Sequence, residues 1–289
     1  ASRSHTTTVL PLVLDSACLG VELSSDRLPS RVMEQYYTII GARQQKRKRE
    51  APRIETLLSG IIGSQNAIKL FHGGLDNYSI YAVDLPGHGK SDGKSTSSID
   101  EYSNDIMDFL DTMNLEHVCL VGHSMGAAIA LNASLSQHWR ICSVVAIGGA
   151  GKMLVNDAIL EGLQKAFEAT VDNIVKYSWH KQTGAIADSQ QMATYFREKA
   201  KQRILNAGSK TVHGDFLACS RFDLDERLRD ILIPVLVIAS DCDRMVPLHV
   251  SREMAEKLPN AQFVTLEGCG HFQHLSLIHI SEPTRPERI

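Results

Sequence analysis

The stretch CLVGHSMGAAIAL, residues 119–131, joins an apolar run to a run of small residues. The apolar run, His117–Val121, predicts a buried β-strand, and Ala127–Ser134 predicts the helix that follows it. Between them lies the pentapeptide GHSMG, residues 122–126, which centres on Ser124. A G-x-S-x-G pattern occurs by chance in many sequences. Between a strand and a helix, however, it predicts a serine held on a sharp, strained turn.

Four more apolar runs have the valine, isoleucine and leucine content of buried strands. Helices are predicted between them: Ser98 and Glu101 form a capping box for a helix over Ile99–Met113, and His249–Leu258 predicts another. Strands that alternate with helices are typical of α/β proteins, so we predict a mostly parallel sheet with flanking helices. The four runs are Tyr81–Leu85, Cys142–Ile147, Val235–Ala239 and Gln262–Leu266.

Residues 151–228 depart from this alternation. One apolar stripe within 159–175 predicts a single amphipathic helix, and Met192, Tyr195 and Phe196 indicate another. We interpret the segment as a helical cap inserted between two strands, where such insertions often cover a site and select its ligand. The alternative is that these are additional crossover helices.

Composition limits the classes of partner. The net charge of the 289 residues is −3, with 43% hydrophobic and 22% charged residues, which is ordinary for a soluble globular protein. This balance argues against a dedicated nucleic-acid or acidic-membrane binder, and the basic run Lys46–Arg49 is interpreted as a solvated loop. No apolar run has the length of a membrane span. We therefore expect a small-molecule partner, and the oligomeric state stays open.

A serine hydroxyl is a poor nucleophile unless a base lies within hydrogen-bond reach and a third group orients that base. In an open parallel sheet such groups gather at the carboxyl ends of strands. The predicted strand 235–239 runs into Asp241 and Asp243, and the last predicted strand runs into His271. With Ser124, these residues follow the chain order Ser, Asp, His.

These segments resemble the motifs of the α/β-hydrolase superfamily. They are DLPGHGKS (84–91), GHSMG (122–126), PVLVIASDCDRMVP (234–247) and GCGHF (268–272). Each motif alone is weak, but four in this order make the resemblance strong over residues 53–274. It implies an α/β-hydrolase sheet with a helical cap, in which Ser124 is the nucleophile.

The resemblance also indicates the acid and the base. Asp243 is preferred as the acid because it directly precedes Arg244 and lies four residues before a proline, as the family's acid commonly does. Asp241 stays as the alternative, with a turn-capping carboxylate as its other interpretation. His271 follows a glycine and matches the family's base, whereas His274 lacks that context.

Two backbone N–H groups are expected to hold the oxyanion, and Met125 supplies one. Residues 72–74, His-Gly-Gly, look like the family's oxyanion loop but lie too close to the end of the next strand for a parallel crossover. An earlier register removes the conflict, with Ile54–Leu58 as the strand and the Ile61 N–H as the second donor. Ser59 stands where the family usually has histidine, but a main-chain donor does not depend on that side chain.

The resemblance implies a serine hydrolase that cleaves a carboxylic ester or related acyl substrate, with no cofactor and no metal. Lactonase, carbon–carbon bond hydrolase, acyltransferase and perhydrolase activities share the triad and stay open, as does a non-catalytic ligand receptor. Residues expected to line the substrate pocket are His123, Phe167, Trp179, Tyr195 and Phe196.

The six cysteines are scattered, with neither a CxxC pair nor zinc-ligand spacing. Cys119 and Cys142 lie in strand-like runs, which favours buried, reduced thiols and a cytoplasmic location. Cys242 and Cys269 flank the predicted acid and base; a redox-sensitive site and simple coincidence are both open, and coincidence is favoured.

The two ends of the chain are set apart from this organisation. Residues 275–285 resemble the translation of a sequencing-library adapter, so we interpret 275–289 as a non-native tail, and a damaged reading frame whose product does not fold stays an alternative. Residues 1–30 are left unassigned. The predicted core comprises 31–150 and 229–274, with the cap at 151–228 between its two parts.

Overall fold

A computed structural model of the chain describes residues 40–44, 53–59, 78–136, 139–179 and 190–273. Several predictions from the sequence fall outside these ranges. They concern the segment 1–30, the basic run Lys46–Arg49, the donor Ile61 and the tail 275–289.

In the described ranges, seven strands form one sheet in the order β1-β3-β2-β4-β5-β6-β7. Strands β2 to β7 are parallel wherever they pair, and β1 runs antiparallel to its neighbours. The predicted, mostly parallel α/β sheet is confirmed. The strands are β1 (Ile40–Gln44), β2 (Arg53–Ser59), β3 (Tyr78–Ala82), β4 (Val118–His123), β5 (Ile141–Ile147), β6 (Val235–Ser240) and β7 (Ala261–Leu266).

The centre of the sheet is covered on both faces. Every residue of β4 and β6 is buried, and so is all of β5 except Cys142. This explains why these strands are continuous apolar runs rather than alternating ones. The carboxyl ends of β4, β6 and β7 lie at one edge of this sheet, since the strands are parallel.

Strand β3 begins and ends three residues before the predicted run Tyr81–Leu85. The chain leaves the sheet after Ala82, and the following loop is closed by hydrogen bonds to Asp84 from the Lys90 N–H (3.0 Å) and the Ser91 hydroxyl (2.5 Å). Leu85 is buried in this loop at 2% exposure, so its apolar side chain extended the predicted strand beyond the sheet.

Among the residues that the structure describes, three helices flank the sheet: α1 (Ile99–Thr112), α2 (Met125–Ser136) and α7 (Leu248–Lys257). Helix α1 begins as predicted, with the Ser98 side chain accepting the Glu101 N–H at 3.4 Å. Helix α2 buries small residues on nearly all of its surface, and this allows it to pack closely against β4 and β5. Its first residue directly follows Ser124.

In the described residues between β5 and β6 there are four α-helices and one short 3₁₀ helix, Asp225–Asp230. The α-helices are α3 (Asp157–Lys165), α4 (Phe167–Ser178), α5 (Gln190–Ala207) and α6 (Ser209–Arg221). The prediction of one helix over 159–175 is wrong, because the chain breaks at Ala166, whose φ of −148° and ψ of 59° are not helical. The break lets α3 and α4 fold against each other. Together with α5 and α6 they bury their own apolar cluster, which includes Leu163, Val171 and Val212.

Helix α6 returns the chain to the sheet. Val212 near its start packs in the cluster of the inserted helices, whereas Ala218 and Cys219 near its end pack in the core around the sheet. Phe222 and Leu228, which follow, also belong to the sheet core. The inserted helices therefore rejoin the core within α6. No helix in the described residues is long and apolar enough to cross a membrane.

Candidate active site

Ser124 occupies the turn between β4 and α2 with a φ of 54°, in the left-handed region that residues other than glycine seldom adopt. Its N–H donates to the Ile147 carbonyl at 2.9 Å, which fixes the turn to the neighbouring strand β5. The turn is tight enough to require a glycine on its strand side: a Cβ at Gly122 would lie 2.0 Å from the Gly126 carbonyl oxygen.

Three side chains from the ends of three strands form one hydrogen-bonded chain. The Ser124 hydroxyl lies 2.9 Å from His271 Nε2, and His271 Nδ1 lies 2.8 Å from Asp243 Oδ2. Asp243 and His271 are each 5% exposed. The structure therefore brings together the three residues predicted as nucleophile, acid and base, from positions up to 147 residues apart.

The two candidate acids have different surroundings. Asp243 is buried, and its second oxygen, Oδ1, accepts the N–H groups of Met245 and Val246 at 2.9 Å each. These bonds hold the carboxylate in place while Oδ2 faces His271. Asp241 is exposed and accepts the Gly268 N–H at 2.8 Å, which matches the turn-capping interpretation given above.

His123 precedes Ser124 and supports His271 from behind. Its Nε2 donates to the His271 backbone carbonyl at 2.8 Å, and the two rings lie 4.7 Å apart. Burial, and then the neighbouring His271, lower the pKa of His123 to about 3. His123 is therefore neutral at physiological pH, so it places no second positive charge beside His271.

The end of α4 contacts both of the loops that carry the acid and the base. The Phe272 N–H donates to the Ser178 carbonyl at 3.4 Å, and the rings of Trp179 and Phe272 lie 6.4 Å apart. On the neighbouring loop, the Arg244 guanidinium stacks over the Tyr177 ring at 4.6 Å. The inserted helices are thus joined to the site at the residues next to His271 and Asp243.

The residues predicted to line a pocket occupy different places. His123 is buried beneath His271, and Phe167 packs against the apolar cluster of the inserted helices. Trp179 is half-buried beside Phe272, and Tyr195 is 54% exposed on α5. The side chain of Phe196 lies outside the described part of the structure. Of these residues, His123 and Trp179 lie next to the His271 segment.

The first predicted oxyanion donor is well placed in the fold. Met125 begins α2, so its N–H is one of the first four of that helix, which have no partner within the helix. Such groups at a helix N-terminus attract negative charge. The second predicted donor, Ile61, lies outside the described residues.

The thiols near the site show no sign of activation. Burial is the main reason that the pKa of Cys242 is raised, which lowers the thiolate fraction. Cys269 is buried and donates to the Glu267 carbonyl at 3.5 Å. Among the described residues, no group of three histidine, cysteine or acidic side chains is arranged to hold a metal ion.

The structure contains a second buried histidine–aspartate pair, which was not predicted from the sequence. His88, in the loop after β3, lies 2.9 Å from Asp215 on α6 through its Nε2, and its Nδ1 lies 3.1 Å from the Pro86 carbonyl. Tyr102 of α1 donates its hydroxyl to the other Asp215 oxygen at 2.7 Å. A signal for Asp215 was present, because it lies three residues from each of two buried positions of α6, Val212 and Ala218.

Comparisons with known proteins agree with this architecture. A sequence model described as the alpha/beta hydrolase fold matches residues 57–276. The chain belongs to this family. Its relatives include the 2-hydroxy-6-oxononadienedioate/2-hydroxy-6-oxononatrienedioate hydrolase of Paraburkholderia phymatum, which is 30% identical over 68% of this chain and 70% of that protein.

Two further similarities extend the range of related hydrolases. The 3-oxoadipate enol-lactonase 1 of Acinetobacter baylyi is 25% identical over 73% of this chain and 75% of its own length. The solved structure of a thermophilic esterase has a TM-score of 0.56 and 30% identity, over 66% of this chain and 72% of that one. The family is thus shared by proteins named for different hydrolytic reactions.

Proposed function

We propose that this protein is a serine hydrolase that cleaves a small carboxylic ester or related acyl substrate through a covalent acyl-enzyme. The observation that carries the proposal is the hydrogen-bonded chain Ser124–His271–Asp243, with distances of 2.9 and 2.8 Å. A hydroxyl on a strained turn, next to an imidazole that a buried carboxylate orients, is the arrangement that nucleophilic catalysis requires.

In the first step the Ser124 oxygen attacks the acyl carbon, and His271 Nε2 takes the hydroxyl proton. The imidazolium that forms is stabilised by Asp243, which accepts the Nδ1–H. The negative charge moves to the former carbonyl oxygen, which we place against the N–H groups of Met125 and Ile61. Each such donor contributes about 3–4 kcal/mol to the transition state.

The tetrahedral intermediate then collapses and expels the alcohol, which receives the proton from His271. Ser124 is left as an acyl ester. Water attacks this ester with His271 again as the base, and the carboxylic acid leaves with Ser124 restored. In the first half-reaction the proton passes from Ser124 through His271 to the alcohol, and in the second it passes from water through His271 to the Ser124 oxygen.

The inserted helices select the part of the substrate that lies beyond its acyl group. Their end at Tyr177–Trp179 contacts the loops that carry the acid and the base. The relatives named above support an ester, a lactone or an oxo-dienedioate as the substrate class. The esterase supports ester cleavage, because it is a 30% identical solved structure. Lactonase or carbon–carbon bond hydrolase activity is the second candidate, carried by the two other relatives.

The decisive experiment measures intact-protein mass after incubation with a fluorophosphonate probe. We expect one adduct on the wild type, no adduct on Ser124→Ala, and turnover of short p-nitrophenyl esters that disappears in the same variant. Ser136→Ala is a matched control, because this serine ends α2 and its hydroxyl bonds to the Ala133 carbonyl. A folded wild type that takes no adduct would contradict the proposal and favour a ligand receptor.

A further inference from the structure

Gln273, two residues beyond His271, is fully buried against the acid rather than exposed to solvent. Its Nε2 lies 3.2 Å from Asp243 Oδ2, the same oxygen that faces His271 Nδ1. A carboxylate only accepts hydrogen bonds, so the amide nitrogen must face it and the amide oxygen must point away. That oxygen, Gln273 Oε1, has no hydrogen-bond partner among the described residues.

The fold makes room for this side chain. Gly148, which follows β5, has a φ of 53°, and a Cβ there would lie 3.3 Å from Gln273 Oε1 and 3.4 Å from both Nε2 and Asp243 Oδ2. A glycine at this position therefore lets the amide and the carboxylate lie side by side. A buried amide oxygen left unpaired costs free energy. Among the described residues, the bond from Gln273 Nε2 to Asp243 Oδ2 is the hydrogen bond that offsets this cost and fixes the place of the amide.

Asp243 is thus surrounded by four N–H donors. Oδ1 accepts from Met245 and Val246, and Oδ2 accepts from His271 and Gln273. The two backbone donors fix the carboxylate, while Gln273 shares the oxygen that stabilises the imidazolium. Each donor to Oδ2 reduces the negative charge that remains for His271.

We propose that Gln273 is a positioning residue of the active site: it holds Asp243 Oδ2 against His271 Nδ1 and thereby shapes the pH dependence of Ser124 reactivity. This inference rests on the proposed function. Among the described residues, the other titratable and charged groups near the triad are the neutral His123, the exposed Arg244 that stacks on Tyr177, the exposed Asp241, and the Cys242 and Cys269 thiols.

The test follows the rate of fluorophosphonate labelling of Ser124 from pH 5 to 9, so it needs no knowledge of the natural substrate. Labelling of a serine that is activated by a general base rises with pH, because the base must be unprotonated to take the hydroxyl proton. In Gln273→Leu the full charge of Oδ2 stabilises the imidazolium, so the midpoint moves up by about half a unit.

Ser251→Ala is the matched control, because Ser251 is also fully buried and donates to the carbonyl of Gly149, beside Gly148, without contacting the triad. We expect this variant to melt at a lower temperature and to keep the wild-type midpoint. Gln273 variants that melt lower but also keep the wild-type midpoint would overturn the inference and leave the proposed function intact. A wild type that is not labelled would overturn both.

A measurement on the wild type covers the case in which the Gln273 variants do not fold. With 15N-labelled glutamine, the side-chain amide signal of Gln273 is assigned in the wild type by its contacts to His271. We expect its chemical shift to follow the same midpoint as Ser124 labelling, because the amide shares the Asp243 Oδ2 acceptor with the imidazole that activates Ser124. An amide signal that does not move across that midpoint would overturn the inference.

Discussion

Two histidine–aspartate pairs lie buried in this molecule, His271–Asp243 at the candidate active site and His88–Asp215 between the sheet and α6. Their hydrogen-bond distances are 2.8 and 2.9 Å, and both histidines are at least nine-tenths buried. They differ in what the remaining ring nitrogen faces. His271 Nε2 faces the Ser124 hydroxyl, which can donate a proton, whereas His88 Nδ1 faces the Pro86 carbonyl, which can only accept one.

This difference decides the chemistry of each ring. Both nitrogens of His88 face acceptors, so the ring satisfies both only as the imidazolium. Burial acts to lower the pKa of His88, but the hydrogen bond and charge of Asp215, with the Pro86 carbonyl and Asp84, raise it above 6.5 overall. His271 needs to donate from Nδ1 alone, so its Nε2 lone pair is available as a base. The same two residue types thus form an ion pair in one place and a general base in the other.

The largest expected effect is a loss of activity when the His271–Asp243 pair is disrupted. We expect His271→Ala to lower kcat for ester turnover by at least about 10⁴-fold, because Ser124 loses its base while the binding groups remain. His88→Ala, at the other pair, should keep kcat close to that of the wild type at temperatures where it is folded. Steady-state kinetics with a p-nitrophenyl ester measures both. Comparable losses of kcat in the two variants would contradict the division of roles.

The next effect appears in stability rather than activity. Asp215→Ala leaves His88 without its counter-charge and the Tyr102 hydroxyl without its acceptor, both in the interior. Removing one partner of a buried pair costs about 3–5 kcal/mol, so we expect the free energy of unfolding to fall by that amount in urea titrations. Asp157→Ala, at an exposed position of α3, is the control. An Asp215→Ala variant as stable as this control would show that the pair contributes nothing.

The sequence predicted the features that follow from the order of the parallel strands. Ser124, Asp243 and His271 were predictable because each follows an apolar strand, and parallel strands bring their carboxyl ends to one edge of the sheet. The bounds of β4 to β7 were close for the same reason: buried strands are apolar along their whole length.

The partners that come from folding of the inserted helices were not predictable in this way. Tyr102 lies on the buried face of α1, and its hydroxyl finds an acceptor in Asp215 only because α6 lies across the loop after β3. The break at Ala166 left no mark in the apolar spacing, since α3 and α4 keep similar stripes on both sides of it. Gln273 contacts Asp243 through a loop whose path the sequence does not specify.

The smallest expected effect is a pH dependence of the stability that the His88–Asp215 pair contributes. The pKa of His88 is raised by folding, so the ion pair stabilises the folded state fully below about pH 6.5 and loses this contribution as the pH rises through the folded-state pKa. His88→Gln is neutral at every pH. The difference in melting temperature between wild type and His88→Gln should therefore be largest near pH 6 and shrink toward pH 9.

Tyr102 and Cys219 also lie beside the His88–Asp215 pair, but neither changes charge between pH 6 and 9. Burial raises the pKa of Tyr102 far above its usual range, and burial also raises the pKa of the nearby Cys219 thiol, so both stay neutral. His213→Gln is the control. His213 lies on α6, the helix that carries Asp215, and its ring contacts the amide of Gln164 rather than a carboxylate. A His88→Gln difference that stays constant or grows with pH would mean that His88 is neutral in the folded protein, and the two pairs would then differ in position but not in charge.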